Sequence, residues 1–152
     1  MVLPAESIKI ADQLCFSAYN LSRLFAKFYE SALSKYNLTF TQYLVLSILW
    51  ENEETQTLHS IGEKLSLGSN TLTPLLRRLE DSGWIMRQRL ESDKRQLAVH
   101  LTEKAENERV PISEEIARCV SDDVNIEDYR AVKHVLEMLE VSLKDMIEVS
   151  KE

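Results

Sequence analysis

At Gly83 the hydrophobic pattern of this chain changes from a helical period to strict alternation, and no other feature restricts its fold as much. Before the switch, Leu58 to Leu65 and about Ser69 to Asp81 read as two short helices. Leu65-Ser66-Leu67-Gly68 joins them, a tight connection containing glycine of the kind that separates the halves of a helix-turn-helix. Gly83 itself sits where a left-handed cap would close the second helix. Pro74 falls just past that helix's first turn, where it removes a backbone hydrogen bond. After the switch, Trp84 to Leu90 and Gln96 to Leu101 alternate, with Leu97, Val99 and Leu101 on one face. The polar run Glu91-Ser92-Asp93-Lys94-Arg95 between them reads as a hairpin tip.

The flanking sequence is helical. Ser7 to about Ser34 carries Ile10, Leu14, Ala18, Leu21, Phe25, Phe28 and Ala32 at spacings of three and four. Thr39 and Gln42 form a capping-box pair at the head of a helix running to about Glu51, apolar nearly all round and hence central to the domain. Thr102 caps a further helix with Glu103 in its first turn, which Pro111 is expected to kink or interrupt. Asn125 is placed to cap a last helix from Ile126 to near Val149, striped by Val132, Val135, Leu136, Leu139, Leu143 and Met146. Only 3 Gly and 3 Pro in 152 residues agree with a mainly α protein carrying one small β-hairpin wing. The layout is that of a winged helix-turn-helix, about residues 38–101, between N-terminal helices (about 7–34) and C-terminal helices (about 102–150), all in one domain.

Charge supports a nucleic-acid face. The chain carries −7 overall, yet Leu58 to Thr102 holds seven Lys/Arg against five acids, so a +2 segment stands on a −9 background. Ser69, Asn70, Thr71 and Thr73 place small hydrogen-bonding side chains at the front of the second short helix, the end that reaches base edges in the major groove. Arg77 follows one turn later, positioned for a phosphate or a guanine. Taken alone, Ser69 and Asn70 read as caps of the helix rather than as DNA contacts. Lys94 and Arg95 at the hairpin tip favour DNA, since an arginine there can enter an adjacent minor groove.

The first and last helices carry more apolar stripe than one small domain needs, and pairing with a second copy would use it. A homodimer so formed presents two reading helices to a pseudo-palindromic operator with half-sites about one helical turn apart. No apolar run approaches the roughly 20 residues of a membrane span, and Met1 to Glu6 lacks the pattern of an export signal, so a cytoplasmic location is expected. His59, His100 and His134 have no metal-ligand spacing and no nucleophile–base motif is present, so neither enzyme chemistry nor a metal or other cofactor is expected.

These segments resemble the MarR family of bacterial regulators over essentially the whole chain. The resemblance rests on Gln13-Leu14-Cys15-Phe16, Leu38-Thr39-Phe40-Thr41-Gln42-Tyr43-Leu44-Val45, Thr71 to Glu80 including Pro74, Asp93-Lys94-Arg95, and Leu101-Thr102. It is nearest to the branch that senses organic hydroperoxides and other oxidants through a cysteine. Read alone, Cys15 between Leu14 and Phe16 is an inert buried thiol; counted from Ser7 it also lies past the first helical turn. The resemblance instead implies a peroxide-reactive thiol, supported by Tyr19 and Tyr29 from the partner subunit. A third tyrosine of that pattern is Phe40 here. It also implies that Cys119, in the region between the Pro111 helix and the Asn125 cap, is a resolving cysteine for Cys15 across the dimer, or else that a small cellular thiol caps Cys15. Two other functions fit the residues: control by a small aromatic effector held among Phe16, Phe28, Phe40, Tyr43 and Trp50, or an adaptor with a degenerate wing.

Overall fold

The computed structural model describes residues 13–120 and 126–151, in two units that meet between Ile116 and Ala117. The first unit opens with α1 (Leu14–Leu33) and a 3-10 turn at Ser34–Tyr36. α2 (Phe40–Glu51), β1 (Gln56–Thr57), α3 (Leu58–Leu65) and α4 (Ser69–Asp81) follow. Then come β2 (Ile85–Arg89), β3 (Leu97–Leu101) and α5 (Glu103–Val120), whose last residues fall in the second unit. α6 (Ile126–Val149) makes up most of that second unit. The expected helical residues 7–12 and the Asn125 cap lie outside the described residues.

The mainly helical fold with a small wing is as the sequence implied, with one addition. β1 joins the hairpin to give an antiparallel sheet of order β1-β3-β2, with Thr57 opposite Ala98 and Arg89 opposite Leu97. A two-residue polar strand has no periodicity to read, so only its partner reveals it.

Capping chemistry defines the helix starts. Thr39 accepts the Gln42 amide through its hydroxyl while the Gln42 side chain accepts from the Thr39 amide, and Thr57 and Ser60 repeat the arrangement at α3. Gly83 takes a positive φ of 77° and closes α4, its amide bonding Glu80 while that of Trp84 bonds Leu79. Between α3 and α4 the left-handed residue is Ser66 (φ 53°), whereas Gly68 has ordinary φ and is the N-cap of α4. The glycine that this connection requires is Gly62, where a Cβ would stand 2.9 Å from the Leu67 carbonyl oxygen.

α2 lies at the centre, with Val45 and Leu46 fully buried. α4 buries Leu72, Leu76 and Leu79, one stripe of helical period, against it and β2, while Trp84, Ile85 and Val99 bring the sheet into the same core. Each such side chain contributes about 1.5–3 kcal/mol by leaving water. α4 runs on through Pro74, and α5 runs through Pro111 without the interruption that was one of the two outcomes expected there, a kink being the other. Ala105, Ile112 and Ile116 of α5 are buried, and this tertiary anchoring on both sides of the proline outweighs the one backbone bond it removes. In the second unit, α6 carries the ion pairs Lys133–Glu137 and Lys144–Glu140. Its apolar stripe is open: Leu136 is 41% exposed and Met146 65%.

Candidate nucleic-acid interface and thiol site

Burial of Leu72, Leu76 and Leu79 turns the opposite side of α4 outward. Ser69, Asn70, Thr71, Thr73 and Arg77 are all exposed, Asn70 and Arg77 on that side, Thr71 and Thr73 on its flanks and Ser69 in the first turn. Ser69 and Asn70 are the first two residues inside the helix, and the N-cap, Gly68, makes no side-chain bond. Capping therefore does not explain Ser69 and Asn70. Among the described residues nothing engages their side chains, nor those of Thr71 and Thr73, so they are open to another partner.

The wing tip is built by its own hydrogen bonds. Asp93 accepts the Arg95 amide through Oδ1 at 3.0 Å and the Gln96 amide through its carbonyl at 2.9 Å. Arg89 donates to the Lys94 carbonyl at 2.6 Å. This leaves the Lys94 side chain exposed and the Arg95 guanidinium almost fully in solvent, its Nε 3.7 Å from Asp93. Arg77, Arg78 and Lys94 meet no acceptor among the described residues, so their charge is available to a polyanion.

Reader and wing are tied by a contact that the sequence did not announce. Arg87 on β2 donates to Glu80 on α4 through its backbone amide (2.9 Å), Nε (3.0 Å) and Nη2 (2.7 Å). The side-chain bonds, followed by the backbone bond, hold the Glu80 carboxyl below its ordinary value. The two residues lie on different elements across a turn, so no helical or strand period links them. Lys64 is likewise engaged, by Asn52 and Gln56. Of the seven basic residues in the segment, Lys64, Arg87 and Arg89 therefore act structurally.

Cys15 and Cys119 are both free thiols and both exposed. The burial expected of Cys15 from its neighbours does not hold within one chain, because the α1 face carrying it is open, with Leu14 61% exposed. Cys15 is also the second residue of α1 rather than beyond its first turn, and its Sγ donates to Gln13 Oε1 at 3.4 Å. Cys119 lies in the last turn of α5, not in the connection to α6. Tyr19 stands exposed one helical turn beyond Cys15. Tyr29 is fourteen residues further along the same helix, a rise of about 21 Å, so within a chain it does not meet that thiol. Its ring instead packs on Phe40 (4.8 Å) and Tyr43 (5.5 Å).

Tyr43 in turn meets Trp50, and Phe28 stands edge-on to Tyr29, so the candidate effector residues apart from Phe16 fill space against one another. Two cavities, of about 430 and 130 Å³, contain none of these rings. The larger lies among Lys35, Trp84 and Lys104; the smaller separates the start of α3 from the wing. No described helix is long and apolar enough to cross a membrane.

Comparison with known proteins agrees with this geometry. The family described as transcriptional regulator SarA/Rot matches residues 27–110. The organic hydroperoxide resistance transcriptional regulator of Bacillus subtilis is 47% identical over 98 residues, which are 64% of this chain and 66%, just under two thirds, of that protein. The regulator MgrA of Staphylococcus aureus is 41% identical over 110 residues, 72% of this chain and 74% of MgrA. Reduced AbfR bound to DNA superposes with a TM-score of 0.84 at 50% identity, covering 95% of this chain and 99% of that one. AbfR, a Staphylococcus epidermidis protein, has also been solved in a disulfide form, which matches at 49% identity with a TM-score of 0.67 over 93% of this chain and 95% of that one. These relatives are regulators, not enzymes.

Proposed function

We propose, for a chain that belongs to the SarA/Rot-type transcriptional regulators with the MarR-like winged-helix fold, that it is a homodimeric repressor released from its operator by oxidation of Cys15. The observation that carries DNA binding is α4 itself: Leu72, Leu76 and Leu79 are buried while uncharged hydrogen-bonding groups of its first turns and Arg77 are exposed beside a wing tipped by Lys94 and Arg95. Ser69, Asn70, Thr71 and Thr73 read base edges, Arg77 and Lys94 take phosphates or a guanine, and Arg95 enters the minor groove. The core of about 38–101 does the reading. The helices at about 7–34 and 102–150 pair two copies in the cytoplasm across a pseudo-palindromic site.

The redox half is supported by the exposure of both thiols, by the hydroperoxide-resistance relative and by the AbfR structures in reduced and disulfide forms. A hydroperoxide oxidises the Cys15 thiol to a sulfenic acid and leaves as the alcohol. The sulfenic acid then condenses with the thiol of Cys119 of the partner subunit, releasing water and forming the disulfide. Tyr19 and Tyr29, brought to the thiol from the second copy, supply hydroxyl donors. Non-reducing gels after peroxide test the pairing: a dimer band that vanishes in Cys119→Ser is expected, and a monomer band unchanged by that substitution rules it out in favour of a small-thiol cap. DNA binding is tested by gel shift on the protein's own upstream region. Phosphate contacts make log K fall steeply with log salt, and a flat response would favour the degenerate-wing adaptor.

A further inference from the structure

The smaller cavity shares only Arg95 with that reading. Thr57, Leu58 and His59 form one wall and Arg95, Gln96 and Leu97 the other. The β1–β3 pairing, with Thr57 opposite Ala98, fixes the start of α3 beside the first residues of β3. The polar groups of Thr57 are already engaged by Ser60, and Leu58 and Leu97 are half-buried. What the cleft offers a partner is therefore the His59 imidazole, the Arg95 guanidinium and the Gln96 side-chain amide, whose Nε2 makes one long bond of 3.4 Å to Asp93 Oδ2 and keeps a second N–H to donate.

The His59 side chain is 80% exposed and its one acidic neighbour is Glu63, 3.4 Å away and itself exposed. Among the described residues the ion-pair partner of Arg95 is Asp93. Such surface pairs are worth at most about 1 kcal/mol and exchange readily for a stronger anion. At about 130 Å³ the cleft is well below the roughly 300–1,000 Å³ of small-molecule sites, but it suits a single phosphate group. It also lies between the first helix of the helix-turn-helix and the wing, where the DNA backbone crosses. Half or more of protein–DNA hydrogen bonds go to that backbone.

We propose that His59 donates a hydrogen bond to a DNA phosphate seated in this cleft, at the border of the minor groove that Arg95 enters, with Gln96 as a second donor. The inference rests on the reading that α4 and the wing bind DNA. It adds a contact that fixes the register of the duplex without reading a base.

The test neutralises phosphates one at a time as methylphosphonates across a half-site and measures binding by fluorescence anisotropy, for wild type and His59→Ala. One neutralised phosphate should weaken wild type by about three- to tenfold and weaken His59→Ala, where only Gln96 still donates to it, by a clearly smaller factor. His59→Ala should lose a similar factor on the upstream duplex and on an unrelated duplex of equal length, with an unchanged melting curve. Wild-type affinity in His59→Ala, an unaltered phosphate profile, or a loss confined to the specific duplex would each overturn the proposal. Wild type that binds neither duplex removes the underlying reading as well, a result distinct from wild type binding while His59→Ala matches it.

Discussion

Gly62, Gly68 and Gly83 show how a residue's role follows from its surroundings rather than from its type. Gly83 is required by its positive φ, and its place at the end of a helical run made that legible in the sequence. Gly68 looked like the residue that permits the tight turn, but it has ordinary φ and open space around it. The turn depends on Ser66 in the left-handed region and on Gly62, whose missing side chain lets the Leu67 carbonyl approach. Gly62→Ala should therefore destabilise the protein by about 1–3 kcal/mol, while Gly68→Ala should change stability by less than about 1 kcal/mol, both measured by urea unfolding. Equal effects would mean that the close approach does not govern the turn. The same local logic explains why the Thr39–Gln42 box could be read from spacing, whereas the solvent exposure of Cys15 could not: a cysteine between Leu14 and Phe16 looks apolar until its helix face is known to be open.

Elements were readable wherever a period marked them, which covers the long helices, the reader and the hairpin. Contacts between elements were not. β1 is too short to carry a pattern, and α5 continues through Pro111 because buried Ala105, Ile112 and Ile116 hold it on either side. The Glu80–Arg87 contact belongs to this class and joins reader to wing. Glu80→Gln should lower stability by about 1 kcal/mol and weaken DNA binding by loosening the wing. Because Arg87 depresses the folded-state value of Glu80 below the ordinary 4.5, its contribution is complete above that pH and is lost as pH falls through the folded-state value. Wild type should thus approach Glu80→Gln in stability as urea unfolding is carried below pH 4.5, and a gap constant down to pH 3 would assign the stabilisation to something other than this ion pair.

The apolar stripe of α6 and the open face of α1 concern the molecule as an assembly. Val132, Leu136, Leu143 and Met146 stand 41–65% exposed in the single chain, with polar ion pairs on the same helix, the pattern of a helix that seats against a second copy. Leu136→Glu should give monomers by sedimentation and lose operator binding although its reader helix is intact. A dimer that survives this change would place the interface elsewhere. In the proposed mechanism control by oxidation is also a property of the assembly, since Tyr29 lies about 21 Å along α1 from the Cys15 of its own chain. It is decided by one gel shift on the upstream region, with and without organic hydroperoxide, in wild type and Cys15→Ser. Peroxide should release wild type, reversibly with dithiothreitol, and leave Cys15→Ser bound; release of Cys15→Ser at the same peroxide dose would contradict a switch at Cys15.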